Sequence, residues 1–323
     1  MAKSGYGLRG AYGRETTWGT AVTPSRSFRL VSSSLERVVP KEKRPYLLHA
    51  TSSANTRAHI RTADNVAGTV VYEFGHEGMG PLVADAFGAA PTTSGAGPYV
   101  HTYKLGIGQM VGATLQTSWY DNDTGTERGE IFEGLVANRA EWSVRVGESA
   151  RLTVDYMGQT SGGETGTLTD TTTAPYTTND LPALFNQAGS IVWNSVTLAV
   201  VTSIRISIDN KLVLRPFIGS LNTAKPLRND HCDIMVELDL EWQGTVFDTG
   251  LTADTEASFT VTFTNGSASL AVTGHNAFVE RCSRPITTAG LIRQTVTLRC
   301  QSNGTNEGLS FVETNSQSAY DAP

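Results

Sequence analysis

Residues 232–243 read Cys232-Asp233-Ile234-Met235-Val236-Glu237-Leu238-Asp239-Leu240-Glu241-Trp242-Gln243. Ile234, Val236, Leu238, Leu240 and Trp242 recur with a period of two, and Asp233, Glu237, Asp239 and Glu241 fill the alternate positions, with Met235 the single exception. Successive side chains of an extended chain point to opposite faces, so this stretch predicts a half-buried strand with one dry and one acidic face. The same alternation sets Trp142, Val144 and Val146 against Glu141, Ser143 and Arg145, and recurs at Leu152, Val154 and Tyr156.

Composition agrees with a β reading. Thr outnumbers even Gly, and β-branched side chains restricted at χ1 suit a pleated surface better than a helix. Charged residues are 17% of the 323, below the ~25% usual for soluble domains, so much of the surface is Thr, Ser, Asn and Gly. A helix is predicted only over 80–87, where Pro81 suits a first turn, Met79, Leu82, Val83 and Phe87 share a face, and Gly88 can end it. From Gln159 to Ala188 the chain is rich in Thr, Gly, Pro and Asn without periodicity and reads as a long loop or linker.

That loop falls near the middle, which raises the question of duplication. Ser27-Phe28-Arg29-Leu30 resembles Ser203-Ile204-Arg205-Ile206, and the strand Val70 to Phe74 with its helix resembles Ile234 to Trp242 followed by Val246 to Leu251. Ala113-Thr114-Leu115 resembles Ala268-Ser269-Leu270, and Arg151 to Gly158 resembles Thr295 to Gly304. The order is kept, so the chain divides into a first β half (1–158), a linker (159–189) and a second β half (190–323), with a single unduplicated fold as the alternative.

Several function classes lose support. A net charge of −6 without a basic run speaks against tight nucleic-acid binding. Met1 to Gly13 lacks the apolar stretch of a signal peptide and no apolar run reaches about 18 residues, so cytoplasmic synthesis without membrane insertion is expected. Cys232, Cys282 and Cys300, odd in number and widely spaced, read as reduced thiols. Gly5-Tyr6-Gly7-Leu8-Arg9-Gly10 matches a dinucleotide-binding spacing but has no room for the preceding strand, and reads as a flexible N-terminal arm, or as one that contact within an assembly orders. His76-Glu77 and His231-Cys232 lack the further ligands of a zinc site. No nucleophile elbow, metal pattern or phosphate loop stands out, so neither enzymatic activity nor a cofactor is expected.

Five segments together resemble the tail tube proteins of long-tailed, siphovirus-like bacteriophages. They are the opening Ala11-Tyr12-Gly13-Arg14-Glu15-Thr16-Thr17-Trp18-Gly19-Thr20, the block from Gly68 through the helix to Gly88, the strand Tyr99-Val100-His101-Thr102-Tyr103, Phe132-Glu133-Gly134-Leu135-Val136-Ala137-Asn138, and Ile206-Ser207-Ile208-Asp209-Asn210. The resemblance implies a mainly β sandwich or barrel with a short flanking helix. It also implies a structural protein of the virion tail, assembled in the host cytoplasm into stacked rings around a channel for DNA. Family rings present sixfold symmetry of the fold, so a duplicated chain would close a ring from three copies and a single-fold chain from six. Expected partners are the chain itself, tape measure and tail tip or terminator proteins, and passing DNA held without tight binding.

On this reading Asp233, Glu237, Asp239 and Glu241 line the bore, where negative charge keeps phosphates from sticking; the alternative is an ordinary solvated strand face. Arg37, Lys41, Lys43, Arg44, Arg57 and Arg61 outnumber the acids of their segment and correspond to a long loop that touches the adjacent ring; the alternative is a surface loop with incidental charge. Two other functions fit a β fold: a carbohydrate- or receptor-binding tail component, which requires clustered exposed aromatics, and the inner tube of a contractile tail.

Overall fold

The computed structural model describes residues 4–44, 58–75, 78–106, 110–121, 125–165, 189–242, 244–286 and 291–318. Its centre is an antiparallel wall eight strands wide. From one margin the order is Leu30–Ser33 with Glu36–Val38, then Asn65–Glu73, Arg151–Gly158 and 136–145. It continues through Val201–Asp209, Asp233–Glu241, Arg293–Gln301 and 276–283. Asp233–Glu241 lies inside this wall and buries Ile234, Val236, Leu238 and Leu240 as the alternation predicts. Trp242 departs from the pattern: the strand ends at Glu241, and the indole is 45% exposed.

Two strands bend out of the wall into a second layer. Thr126–Arg145 pairs through its first half with Ala113–Asp121 and Thr160–Thr165, and through its second half with Arg151–Gly158. Ala268–Ser283 repeats the manoeuvre with Ala257–Asn265, Leu309–Asn315 and Arg293–Gln301. The wall's dry face and the outer layer enclose one core, in which Trp142, Phe87, Tyr103, Phe74 and Phe311 meet edge-on or tilted with centroids 5.7–6.4 Å apart. Tyr99–Lys104, from the N-terminal part, pairs with Leu309–Asn315 and so widens the outer layer of the C-terminal part.

Helix α1 spans Gly80–Phe87, with Pro81 in its first turn and Gly88 as a left-handed cap. All eight residues are buried. Helix α2 spans Val246–Thr252 and stacks Phe247 on Trp193 at 5.1 Å.

Further expectations need correction. The sequence predicts a helix only over 80–87, whereas α2 is a second one, and Val146 lies beyond the end of its strand, 56% exposed. The loop predicted from Gln159 begins with a strand, Thr160–Thr165, paired to the long strand; Ser161-Gly162-Gly163 shows no apolar alternation because its place is fixed by backbone ladder bonds rather than by burial of side chains. Residues 166–188 lie outside the described residues. The N-terminal segment is no flexible arm: Ser4–Arg14 forms a strand between Ala113–Asp121 and Arg26–Phe28.

Gly250 shows how tightly the second helix is seated. A Cβ there would lie 2.4 Å from Cη2 of Trp193. Gly to Ala inside a helix ordinarily stabilises by roughly 1 kcal/mol, whereas overpacking a core costs about 1–3 kcal/mol. Gly250→Ala is therefore expected to lower stability by up to about 2 kcal/mol, measured as a fall in the urea midpoint, and a rise would refute this packing.

Candidate functional site: a polar sheet face and two hairpins

The opposite face of the wall carries the four acidic residues read from the sequence. Asp233 contacts Arg299 at 3.4 Å and Glu237 contacts Arg205 at 3.4 Å. Asp239 accepts hydrogen bonds from Ser203 Oγ and Thr295 Oγ1, both at 2.7 Å. Glu241 stands opposite Arg293 in the ladder. Arg205 also reaches Glu141 at 3.1 Å, and Arg299 reaches Glu280 at 2.9 Å. The face is thus a mosaic of both signs, since neighbouring strands supply the arginines. It hollows into a trough of about 690 Å³ lined by Arg145, Arg151, Arg205, Arg293, Glu237 and Asp239.

The basic residues divide. Arg37 grips buried Asp64 with two bonds, Nε to Oδ1 at 2.9 Å and Nη2 to Oδ2 at 2.6 Å, and Arg61 reaches the same carboxylate. Burial alone would raise the Asp64 pKa, but the hydrogen bonds and positive charge of Arg37, with the charge of Arg61, hold it below the usual carboxylate value. These two arginines fix the base of a hairpin, Lys41–Arg44 with Ala58–Arg61. Lys41 is exposed on it, Lys43 and Arg44 belong to its first strand, and Arg57 lies outside the described residues.

Beside it stands a second hairpin, Leu212–Arg215 with Ala224–Arg228, whose strands also carry Arg215, Lys225 and Arg228 but whose tip is apolar. The backbone N–H of Asp64 donates to Leu221 O at 2.8 Å, which ties the two hairpins together. Its tip exposes Phe217 (54%) and Ile218 (104%). Sequence reasoning passed over it; the available signal was an apolar pair between Pro216 and Gly219, where a turn is ordinarily polar.

The segments that carried the resemblance converge in space. Glu15 accepts hydrogen bonds from the N–H groups of Gly19 and Gly134, each at 2.7 Å, and from Thr114 Oγ1 at 2.9 Å. Trp18 Nε1 donates to Gly134 O at 2.9 Å. Gly134, with φ of 65°, sits where the long strand leaves the outer layer. Farther along, Asn210 Nδ2 donates to Ala137 O and Ala86 O at 3.1 and 2.9 Å, joining three of the segments at one point. A family model described as phage tail tube protein matches residues 5–300. The chain belongs to that family. As a phage tail tube protein it is a structural component of the virion tail. No curated protein matches the chain.

Other chemistries gain no support from this tail tube protein's geometry. Among the described residues no cluster of His, Cys, Asp or Glu could hold a metal ion, and no helix is long and apolar enough to cross a membrane. Burial pushes the Cys232 and Cys300 thiols up to about 11 and about 12, as befits packed side chains. Of the five tryptophans only Trp242 is exposed, so the tryptophans do not form the exposed cluster that stacking on a sugar requires.

Asp85, 2% exposed, accepts a hydrogen bond from Tyr12 at 2.7 Å, and burial raises its pKa to about 7. Between the ordinary value of 3.8 and about 7 the native carboxyl holds a proton that the unfolded chain has released, so its contribution to stability falls as pH rises through that window. Buried Glu15, raised by desolvation, acts in the same sense. Asp85→Asn is expected to flatten the decline in Tm between pH 4 and pH 7 relative to wild type, and parallel curves would refute the assignment.

Proposed function

We propose that this tail tube protein closes a ring from three copies, that the rings stack into the tube, and that the polar face of the wall lines the bore through which DNA is ejected. The eight-stranded wall with its hollow polar face is the observation that carries the reading. Strands about 4.8 Å apart and tilted by about 40° give a barrel roughly 50 Å across between backbones from three such walls. Six would give roughly 100 Å, far more than one duplex with its side-chain lining and water requires. The sixfold symmetry implied by the family is then carried by the repeated strand pairing within each chain, the first and second halves acting as successive sixths of the ring.

A bore with intermixed charges suits passage without retention. Glu237 and Glu241 stand against Arg205 and Arg293 and Asp239 lies between them, so no continuous basic surface neutralises phosphates, and each charge acts on a strand only within a Debye length of about 8 Å at physiological salt. Substituting Lys at all three is expected to leave tubes intact in electron micrographs and to slow DNA ejection from phage carrying the variant. Ejection at the normal rate would place this face away from the bore.

The two hairpins lie side by side at one place on the molecule and are suited to ring stacking, the basic one by steering onto acidic surface and the apolar tip by burial. Deleting residues 40–60, or replacing Phe217 and Ile218 with Ser, is expected to yield rings that no longer extend into long tubes. Long tubes formed by both variants would remove the hairpins from stacking. Tape measure and tail tip or terminator proteins would meet the same stacking surfaces at the two ends of the tube.

A further inference from the structure

The wall has two free margins. Leu30–Ser33 pairs on one side with Asn65–Glu73, and 278–283, beyond the last rung of its strand with Ala257–Asn265 at Ala277 opposite Ala257, pairs on one side with Arg293–Gln301; among the described residues neither of these margins has a strand on its other side. Each is interrupted, by Val31 and by Glu280 respectively, where its register shifts. Bulged margins resist pairing with arbitrary strands, so whatever completes them has to match.

The chain contains a pattern for such a match. Inside the wall, Arg139–Arg145 runs antiparallel to Ser203–Asp209 in unbroken register, and this ladder joins one set of four strands to the next. The strands of that internal junction have counterparts at the margins, and the ladders fix which residue corresponds to which. The long strands first meet their wall partners at Val136 opposite Met157 and at Asn276 opposite Gln301. Following the ladders from there makes Leu152 equivalent to Val296 and Tyr72 equivalent to Leu238. The helices support the same equivalence independently: it superposes Gly78 on Gly244, both with positive φ (80° and 98°), and the N-caps Met79 and Thr245.

One more rung completes the comparison. Val70 faces Ser33 and Val236 faces Ile206, so Ser33 holds the place of Ile206. Leu152 faces Trp142 and Val296 faces Cys282, so Cys282 holds the place of Trp142. Across the internal junction Trp142 faces Ile206. Resting on the ring reading above, we propose that adjacent copies join margin to margin in this same register, with Cys282 of one copy opposite Ser33 of the next. The register brings together groups that belong together. Val279, buried, meets Leu35, which packs at the edge of the core. On the polar face, exposed Arg281 and Glu36 of the two copies become diagonal neighbours of opposite charge. The resemblance between Ser27–Leu30 and Ser203–Ile206 would instead put Leu30 in the place of Ile206 and set it opposite Cys282, so the two registers are separable.

Facing side chains of paired strands have Cβ atoms about 4.5–5.5 Å apart, close to what a disulfide spans. Ser33→Cys alone, with native Cys282 as partner, is expected to give covalent dimers and trimers when assembled protein is oxidised and run on a non-reducing gel. These bands should vanish with reductant and in the Ser33→Cys, Cys282→Ser double variant. Leu30→Cys should give none. Phe278→Cys with Glu36→Cys, made in a Cys282→Ser background, tests the same register on the open polar face if Ser33→Cys fails to assemble. Rings that cross-link through Leu30→Cys, or rings in which neither predicted pair cross-links, would overturn the register and leave the ring standing. A wild-type protein that forms no rings by negative-stain microscopy would overturn the ring itself.

Discussion

Every strand edge presents a row of N–H and C=O groups that must bond to something, and the architecture of this tail tube protein follows from that requirement. The outer layer uses short flanking strands, such as Thr92–Ser94 and Val196–Thr197, that leave little backbone open. The wall has long strands of nine residues, such as Asn65–Glu73 and Asp233–Glu241, and it meets the requirement through neighbours on both sides except at its two margins. A sheet of this width with interrupted margins is what a closed assembly of identical copies needs, because closure is the one arrangement in which no edge is left over.

The bends in Thr126–Arg145 and Ala268–Ser283 connect this requirement to the core. A strand that leaves the wall must pass a point where its ladder partners change, and backbone groups there are at risk of going unpaired. Glu15 and Trp18 meet that risk at Gly134, bonding both its N–H and its carbonyl. The opening segment therefore matters for the position of a strand more than a hundred residues away, which explains why segments so distant in the chain carry one family resemblance.

The wall strands were legible from single residues: Ile234 to Leu240, Leu152 to Tyr156 and the helix ended by Gly88 lie as the alternation and the cap imply. The electrostatics were not. Asp233, Glu237 and Asp239 form an acidic stripe along one strand, whereas their partners Arg299, Arg205, Ser203 and Thr295 come from neighbouring strands that are distant in the chain. In the same way Arg37 and Arg61 stand in the sequence as surplus positive charge, whereas the fold brings both to the one buried carboxylate of Asp64. Strand Thr160–Thr165 was missed because an edge strand can be held by backbone bonds alone, leaving little trace in side-chain pattern. Periodicity reports burial, and what lies across a ladder is invisible to it.

The ladder between Arg139–Arg145 and Ser203–Asp209 has an entropic meaning. Tethering makes its two sides permanently available to each other, so this junction forms without the translational and rotational cost that separate molecules incur on association. In the proposed ring of three copies, fewer encounters finish each annulus than in a ring of six, and partially built ones have fewer ways to fall apart. Tethering also frees the two sides from having to be identical, which is how projections with different tips come to stand next to each other on a single polypeptide.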